Sequence, residues 1–271
     1  MAHPFAPPVT ASIVSRALAA FIALAGAAAG AAQPDVERGV LESVRGCDVT
    51  YQVRRPTDAA GGPVAIIAHG FMRDGSNMSG WSEAIAAAGL TAVTVDLCAS
   101  SATEGRHADN GADMVALRRA LGAHDAVYVG VSAGGLAALI AASLDAEGTR
   151  GVLLLDPVNA GGQARSAAGK VRAPAAALVA KAQACNAWRN IDPALHTLAD
   201  VTTVRIARAS HCDFEWPGDT FCRVACVATN SRGDRERAQS RIRRIGVDFV
   251  RAVATGDAGA LARWRGDIGP D

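Results

Sequence analysis

The run Ala126-Val127-Tyr128-Val129-Gly130-Val131-Ser132-Ala133-Gly134-Gly135-Leu136-Ala137-Ala138-Leu139-Ile140 decides how this chain is built. Its first residues are apolar and partly β-branched, as in a strand buried on both faces. Its last five favour a helix. Between them, Gly130-Val131-Ser132-Ala133-Gly134 supplies a G-x-S-x-G pattern in the strand-turn-helix setting that gives it meaning. The turn is too sharp for side chains at its two outer positions, so glycine stands at both. Ser132 is then presented in a strained conformation at the carboxyl edge of a sheet, with a helix N-terminus aimed at it. A capping serine in an ordinary tight turn is the plain alternative, and the flanking strand and helix favour a nucleophile.

Outward from this run, short apolar stretches alternate with alanine-rich helical ones, the mark of an α/β fold with a mostly parallel twisted sheet and helices on both faces. The predicted strands are Asp48–Val53, Val64–Ala68, Thr91–Val95, Ala126–Val131, Gly151–Leu155, Ala175–Val179 and Val201–Ile206. The predicted helices are Trp81–Ala88, Ala112–Leu121, Gly134–Ala142 and Asp234–Val253. The last carries Ile242, Ile245, Phe249 and Val253 at helical spacing with arginines between, so it reads as an amphipathic closing helix with a solvated basic face.

A serine hydroxyl needs a base to take its proton and return it to the leaving alcohol. Around a G-x-S-x-G elbow the partners follow in the order serine, acid, histidine, which leaves His196 and His211 of the six histidines. His211 follows the strand Val201–Ile206 on the same sheet edge as Ser132. His196 precedes that strand and falls at the opposite edge, so His211 is the expected base. For the acid, Asp145 and Glu147 end the helix after the nucleophile, and Asp200 begins a strand at the wrong end. Asp156 ends the strand Gly151–Leu155 and is followed by Pro157, which suits the role. Asp192 is the rival, because the acid often comes one strand later, yet Lys181-Ala182-Gln183-Ala184-Cys185-Asn186 offers no carboxylate there. The strand ending Ile66-Ile67-Ala68-His69-Gly70-Phe71 places a loop beside the serine. Phe71 N–H, or Met72 N–H if the register differs by one, and Ala133 N–H are the expected oxyanion donors. His69 is expected to hold the loop's shape rather than to take part in chemistry.

The chain has 271 residues, half of them hydrophobic, enough for one sizeable core. Its 27 basic residues balance 26 acids, so no strong field exists to attract nucleic acid or an anionic membrane. Arg16 followed by an apolar alanine-rich run ending near Ala31-Ala32 reads as a secretory signal over residues 1–32, too short for a membrane anchor, with the catalytic domain over 33–271. Six cysteines, Cys47, Cys98, Cys185, Cys212, Cys222 and Cys226, lie beyond it, an even count that suggests disulfides in an exported chain. A zinc site at Cys222 and Cys226 lacks a second pair of matching spacing. No cofactor or metal is called for. The expected partner is a small or polymeric ester, bound by a monomer that is secreted or periplasmic.

His69-Gly70-Phe71, the Gly130-to-Gly135 turn, Leu155-Asp156-Pro157-Val158 and Ser210-His211-Cys212-Asp213-Phe214-Glu215 together resemble the chlorophyllase and dienelactone-hydrolase-like branch of the α/β-hydrolases, over most of the mature chain. In chlorophyllases an aspartate in a similar segment is the triad acid, which the resemblance carries to Asp156. Ala133 replaces the arginine that plant chlorophyllases carry after the serine, so chlorophyll as substrate does not follow, and dienelactone hydrolases proper use a cysteine where Ser132 stands. The resemblance implies an α/β-hydrolase fold and a serine esterase. Only seventeen residues separate Asp156 from Pro174, so no large cap domain is expected and the site is open. Trp81 and Trp188 are candidates to line it. The implied strand order brings Cys47 to Cys98 and Cys185 to Cys212, leaving Cys222 with Cys226. An acyltransferase on the same triad, or a non-catalytic exported binding protein that kept the fold, are the other functional readings.

Overall fold

The computed structural model describes residues 36–56, 62–98, 100–101 and 104–269. The expected signal over residues 1–32 lies outside them. Eight strands form the main sheet: β1 (Val36–Glu42), β2 (Asp48–Arg54), β3 (Val64–Ala68), β4 (Thr91–Asp96), β5 (Ala126–Val131), β6 (Thr149–Leu155), β7 (Ala175–Val179) and β8 (Val201–Arg205). Their spatial order is β1-β2-β4-β3-β5-β6-β7-β8. The first two join antiparallel, β2 meets β4 antiparallel with Thr50 opposite Asp96, and every later pairing is parallel.

The seven expected strands are present, and β1 is an addition. Its sequence lacks the apolar run of an interior strand because it lies at the sheet edge, with alternate residues exposed. The Tyr51 ring of β2 lies across Gly39 in β1, 2.2 Å from where a Cβ would stand, so a side chain there would displace the ring.

Strand alternation divides the core into two layers. Val64, Ile66 and Ala68 of β3 and Tyr128 of β5 face α2 (His107–Ala120) and α3 (Ala133–Leu144), packing on Met114, Leu117, Leu136 and Leu139. Ala65, Ile67, Val127 and Val129 face the other way, onto Trp81 and Ile85 of α1 (Ser79–Ala87) and Ile242, Ile245 and Phe249 of the 23-residue α7 (Arg232–Ala254). Each Val, Leu, Ile, Phe or Met side chain among them taken from water adds roughly 1.5–3 kcal/mol of gross stabilisation. Between β6 and β7, residues 157–174 hold only a short turn and the one-turn α4 (Ala164–Ala168), so this connection carries no cap domain. Short helices α5 (Asp192–Leu195) and α6 (Thr220–Ala225) and the terminal α8 (Ala258–Asp267) complete the fold.

The arginines of α7 behave as a solvated face. Arg232 pairs with Glu236, and Asp234, whose carboxyl is held down at about 2 by the Ser231 hydroxyl and then by Arg208 and Arg237, pairs with both of those arginines. Among the described residues no helix is long and apolar enough to cross a membrane.

Candidate active site

The turn from β5 into α3 is as tight as its glycines require. Ser132 has φ +55° and ψ −121°, outside the ordinary range for a residue with a side chain. A Cβ on Gly130 would sit 2.1 Å from the Gly134 carbonyl oxygen, and one on Gly134 would sit 2.2 Å from that of His69. Both obstacles are backbone and cannot swing aside. The turn is also pinned to its neighbours: Ser132 N–H donates to Leu155 O at 3.0 Å, and Val158 N–H to Ser132 O at 3.2 Å. Ser132 thus stands where β6 ends, and its Cβ lies 3.4 Å from where a side chain on Gly70 would begin.

Asp156 is the next residue after β6, only 1 % exposed and also at positive φ, +43°. His211 lies just beyond β8, on a single 3₁₀ turn (His211–Phe214). Its Nδ1 meets Asp156 Oδ2 at 2.7 Å. A carboxylate can only accept, so Nδ1 carries the proton and Nε2 is left as the basic lone pair. Asp192 does not come to this histidine: Arg189 binds its carboxylate at 2.8 Å on α5. His196 is exposed at the end of α5.

No protein-family model and no curated protein sequence matches the chain. Solved structures do. A dienelactone hydrolase from Anabaena variabilis superposes with a TM-score of 0.53 at 22% identity, covering 72% of this chain and 94% of that one. A predicted CIB-like hydrolase from Thermoplasma acidophilum gives a TM-score of 0.60 at 12% identity, over 80% of this chain and 99% of that one. A cold-adapted esterase from an Arctic intertidal metagenomic library gives 0.54 at 12% identity, over 68% and 90%. The fold is the α/β-hydrolase fold.

In this α/β-hydrolase fold the β3 loop reaches the β5–α3 turn in a fixed shape. His69 Nδ1–H donates to Gly70 O at 2.7 Å, and its Nε2 accepts from Leu97 N–H at 3.0 Å. Both nitrogens are committed, so the ring braces the loop and is neutral, and burial pushes its pKa down. The loop then turns through Met72 at φ +57°. Phe71 N–H and Ala133 N–H both lie on the segments flanking Ser132. Neither bonds another group among the described residues, Ala133 N–H being one of the orphan donors at the start of a helix.

Three residues beside the site were invisible in the sequence. Asn186, fully buried, donates from Nδ2 to Asp156 Oδ1 and Oδ2 at 3.3 and 3.2 Å, while Ala180 N–H donates to Oδ1 at 2.9 Å. Asp156 is therefore fully supplied with donors and fixed in direction. Arg73 and Glu215 are the other two, in an ion pair between the β3 loop and the histidine loop. Asn186 is held by a turn (Ala184–Arg189) whose last three residues, Ala187, Trp188 and Arg189, all have positive φ. That run leaves Trp188 71 % exposed. Trp81, the other tryptophan considered for the groove, is core instead, with its indole N–H on Phe214 O at 2.9 Å.

The cysteine pairing differs from expectation at two of three bridges. Cys47–Cys98 is present, following from the antiparallel meeting of β2 and β4, but the others are Cys185–Cys226 and Cys212–Cys222. A Cys222–Cys226 bridge fails because the two residues lie one turn apart on α6 and its cap, where Cβ atoms stand about 5–6 Å apart, beyond bridging distance. Their sulfurs face the same side, 3.8 Å apart, and each bonds a different loop. No cysteine among the described residues is free, so the cluster of Cys212, Cys222 and Cys226 offers a metal no thiolate. Three disulfides suit an oxidising environment.

The bridge at Cys212 fixes the histidine loop from one side. From the others, Ser210 and Asp213 cap its turn reciprocally, Asn230 donates to Asp213 at 2.6 Å, and Trp216 N–H donates to Asn77 O at 2.9 Å.

Proposed function

We propose that the chain is an exported serine esterase that cleaves a carboxylic ester through an acyl-enzyme. The observation that carries this reading is the 2.7 Å bond between His211 and Asp156, at the sheet edge where the strained Ser132 is presented. Ser132 Oγ attacks the ester carbonyl while His211 Nε2 accepts its proton. Asp156 holds the imidazole in the required tautomer and stabilises the imidazolium that forms. The carbonyl oxygen, now negative, is met by the N–H groups of Phe71 and Ala133, with the N-terminal dipole of α3 behind them. Collapse of the tetrahedral intermediate expels the alcohol, which takes the proton from His211. Water, activated by the same nitrogen, then frees the acid and restores Ser132.

The names of the structural neighbours, a dienelactone hydrolase, a predicted hydrolase and an esterase, support hydrolysis of this kind. The three disulfides support export, with residues 1–32 as the signal and 33–271 as the mature monomeric enzyme. Short residues 157–174 in place of a cap support an ester too bulky or extended for an enclosed pocket. Hydrolysis of a p-nitrophenyl ester series of increasing acyl length tests the activity. Turnover abolished in Ser132→Ala and His211→Ala is expected, and turnover equal to that of the unmutated enzyme in either variant refutes the mechanism.

A further inference from the structure

Arg73 and Glu215 join two loops that no secondary structure connects. Arg73 follows Phe71 by two residues, and Glu215 follows His211 by four. Arg73 Nε donates to Glu215 Oε1 at 2.8 Å, and the two side chains are only 9% and 6% exposed. The guanidinium also reaches Asp219, at 3.2 Å, and lies over the Phe221 ring, 5.1 Å from its centre. Glu215 Oε2 is buried with no hydrogen-bond partner among the described residues.

A buried ion pair is a poor way to gain stability, because desolvating both charges consumes most of their attraction, and a half-satisfied one is worse. Its retention calls for another benefit. Burial pushes the Glu215 carboxyl above the usual range and Asp219 pushes it the same way, while Arg73 and the His211 imidazole oppose them. These groups come from the β3 loop, from the cap of α6 and from its own loop.

Resting on the reading of Ser132 and His211 as nucleophile and base, we propose that Arg73 and Glu215 are positioning residues whose ion pair registers the histidine loop against the oxyanion loop, and that full turnover requires Glu215 ionised. Protonation of Glu215 leaves Arg73 to Asp219 at the α6 cap and loosens the grip on the histidine loop, so activity declines on the acid side with Glu215 as well as with the base.

The test is the pH dependence of kcat and KM for p-nitrophenyl butyrate in the full mature chain and two variants. Glu215→Gln imitates the protonated state. At pH 8 its kcat is expected to fall about tenfold or more with KM within about threefold, the size of effect that misalignment of a reacting group produces. The deficit should shrink toward acid pH, where the unmutated enzyme carries the same uncharged group. Asp219→Asn keeps the α6 cap on Cys222 N–H at an outer position 39 % exposed, and it removes the charge that opposes ionisation of Glu215. Its acidic limb is expected at lower pH than that of the parent.

A Glu215→Gln deficit constant across pH, as a purely structural lesion gives, overturns the proposal. So does an Asp219→Asn profile superimposable on the parent's, and this second variant decides alone if the first fails to fold. A parent enzyme labelled at Ser132 by a fluorophosphonate, with either of these results, loses the ion-pair role and keeps the triad. One that does not label loses both.

Discussion

Asn186 donates to both oxygens of Asp156 from a fully buried position, 30 residues further along the chain. It also donates to Lys181 O at 2.9 Å, and its own Oδ1 accepts from Gln183 N–H at 2.9 Å, so every polar atom of the side chain is used. The carboxylate that aims His211 is itself aimed by this amide. Replacing Asn186 by Ala strands those partners and is expected to cost about 1–3 kcal/mol of stability. In the same variant kcat is expected to fall with KM little changed. Thermal unfolding and steady-state kinetics on one preparation check both.

The proposed mechanism takes Asp156, which bonds His211, as its acid in place of Asp192, which does not. Asp156→Asn keeps the shape of the site but turns the histidine toward the wrong tautomer, and kcat is expected to drop by about three to four orders of magnitude. Asp192→Asn breaks a contact with Arg189 on α5 and is expected to leave kcat within about twofold, as is usual for a partly exposed pair. Side-by-side kinetics of the two variants distinguish them.

Gly130→Ala and Gly134→Ala each drive a methyl group into a backbone oxygen, at 2.1 and 2.2 Å. Neither can relax without moving the β5–α3 turn, so both are expected to give insoluble or inactive protein. Gly162→Ala, at positive φ but with open space around it, is the matched control and is expected to fold at a cost of about 1 kcal/mol. Soluble yield and unfolding temperature are the measurements.

The disulfides should separate stability from activity. Cys47–Cys98 closes a span of 51 residues and Cys212–Cys222 one of 10, which in the chain-entropy account gives about 4 and about 3 kcal/mol. Serine replacement of the first pair is therefore expected to lower stability more. Replacement of the second is expected to lower kcat more, because Cys212 adjoins His211. Denaturant titrations and kinetics on the two double variants show whether the effects cross.

His69 adds a pH dependence of stability. Burial lowers its folded pKa below the ordinary 6.5, so as pH falls through that value the unfolded chain takes up a proton that the fold refuses. Stability is full above pH 6.5 and is lost toward the lowered folded value, at up to about 1.4 kcal/mol per pH unit for this one group. His69→Gln is expected to flatten the slope of unfolding free energy between pH 7 and 5, measured by urea titration.

What could be read from the sequence was local. The β5–α3 elbow spans fifteen consecutive residues, and its glycines, apolar strand and helix formers all state the same geometry. The parallel strands stand out because burial on both faces forces unbroken apolar runs. β1 escapes that rule because an edge strand with a solvated face needs no such run, and α8 is too short and mixed to show a clear stripe. Asn186 beside Asp156 and Arg73 beside Glu215 depend on which loops the sheet order brings together. Cys47–Cys98 follows from the strand order, but the other two pairings were missed for the same reason: Cys222 and Cys226 are near in sequence, and the helix between them sends each to a different loop.

Whether Ser132 is the nucleophile is read from a fluorophosphonate reaction with the folded protein, followed by peptide mass spectrometry. One adduct per chain is expected, on Ser132, absent in Ser132→Ala and strongly slowed in His211→Ala. A folded protein that turns over esters with no adduct on Ser132, or that keeps its activity in Ser132→Ala, contradicts it.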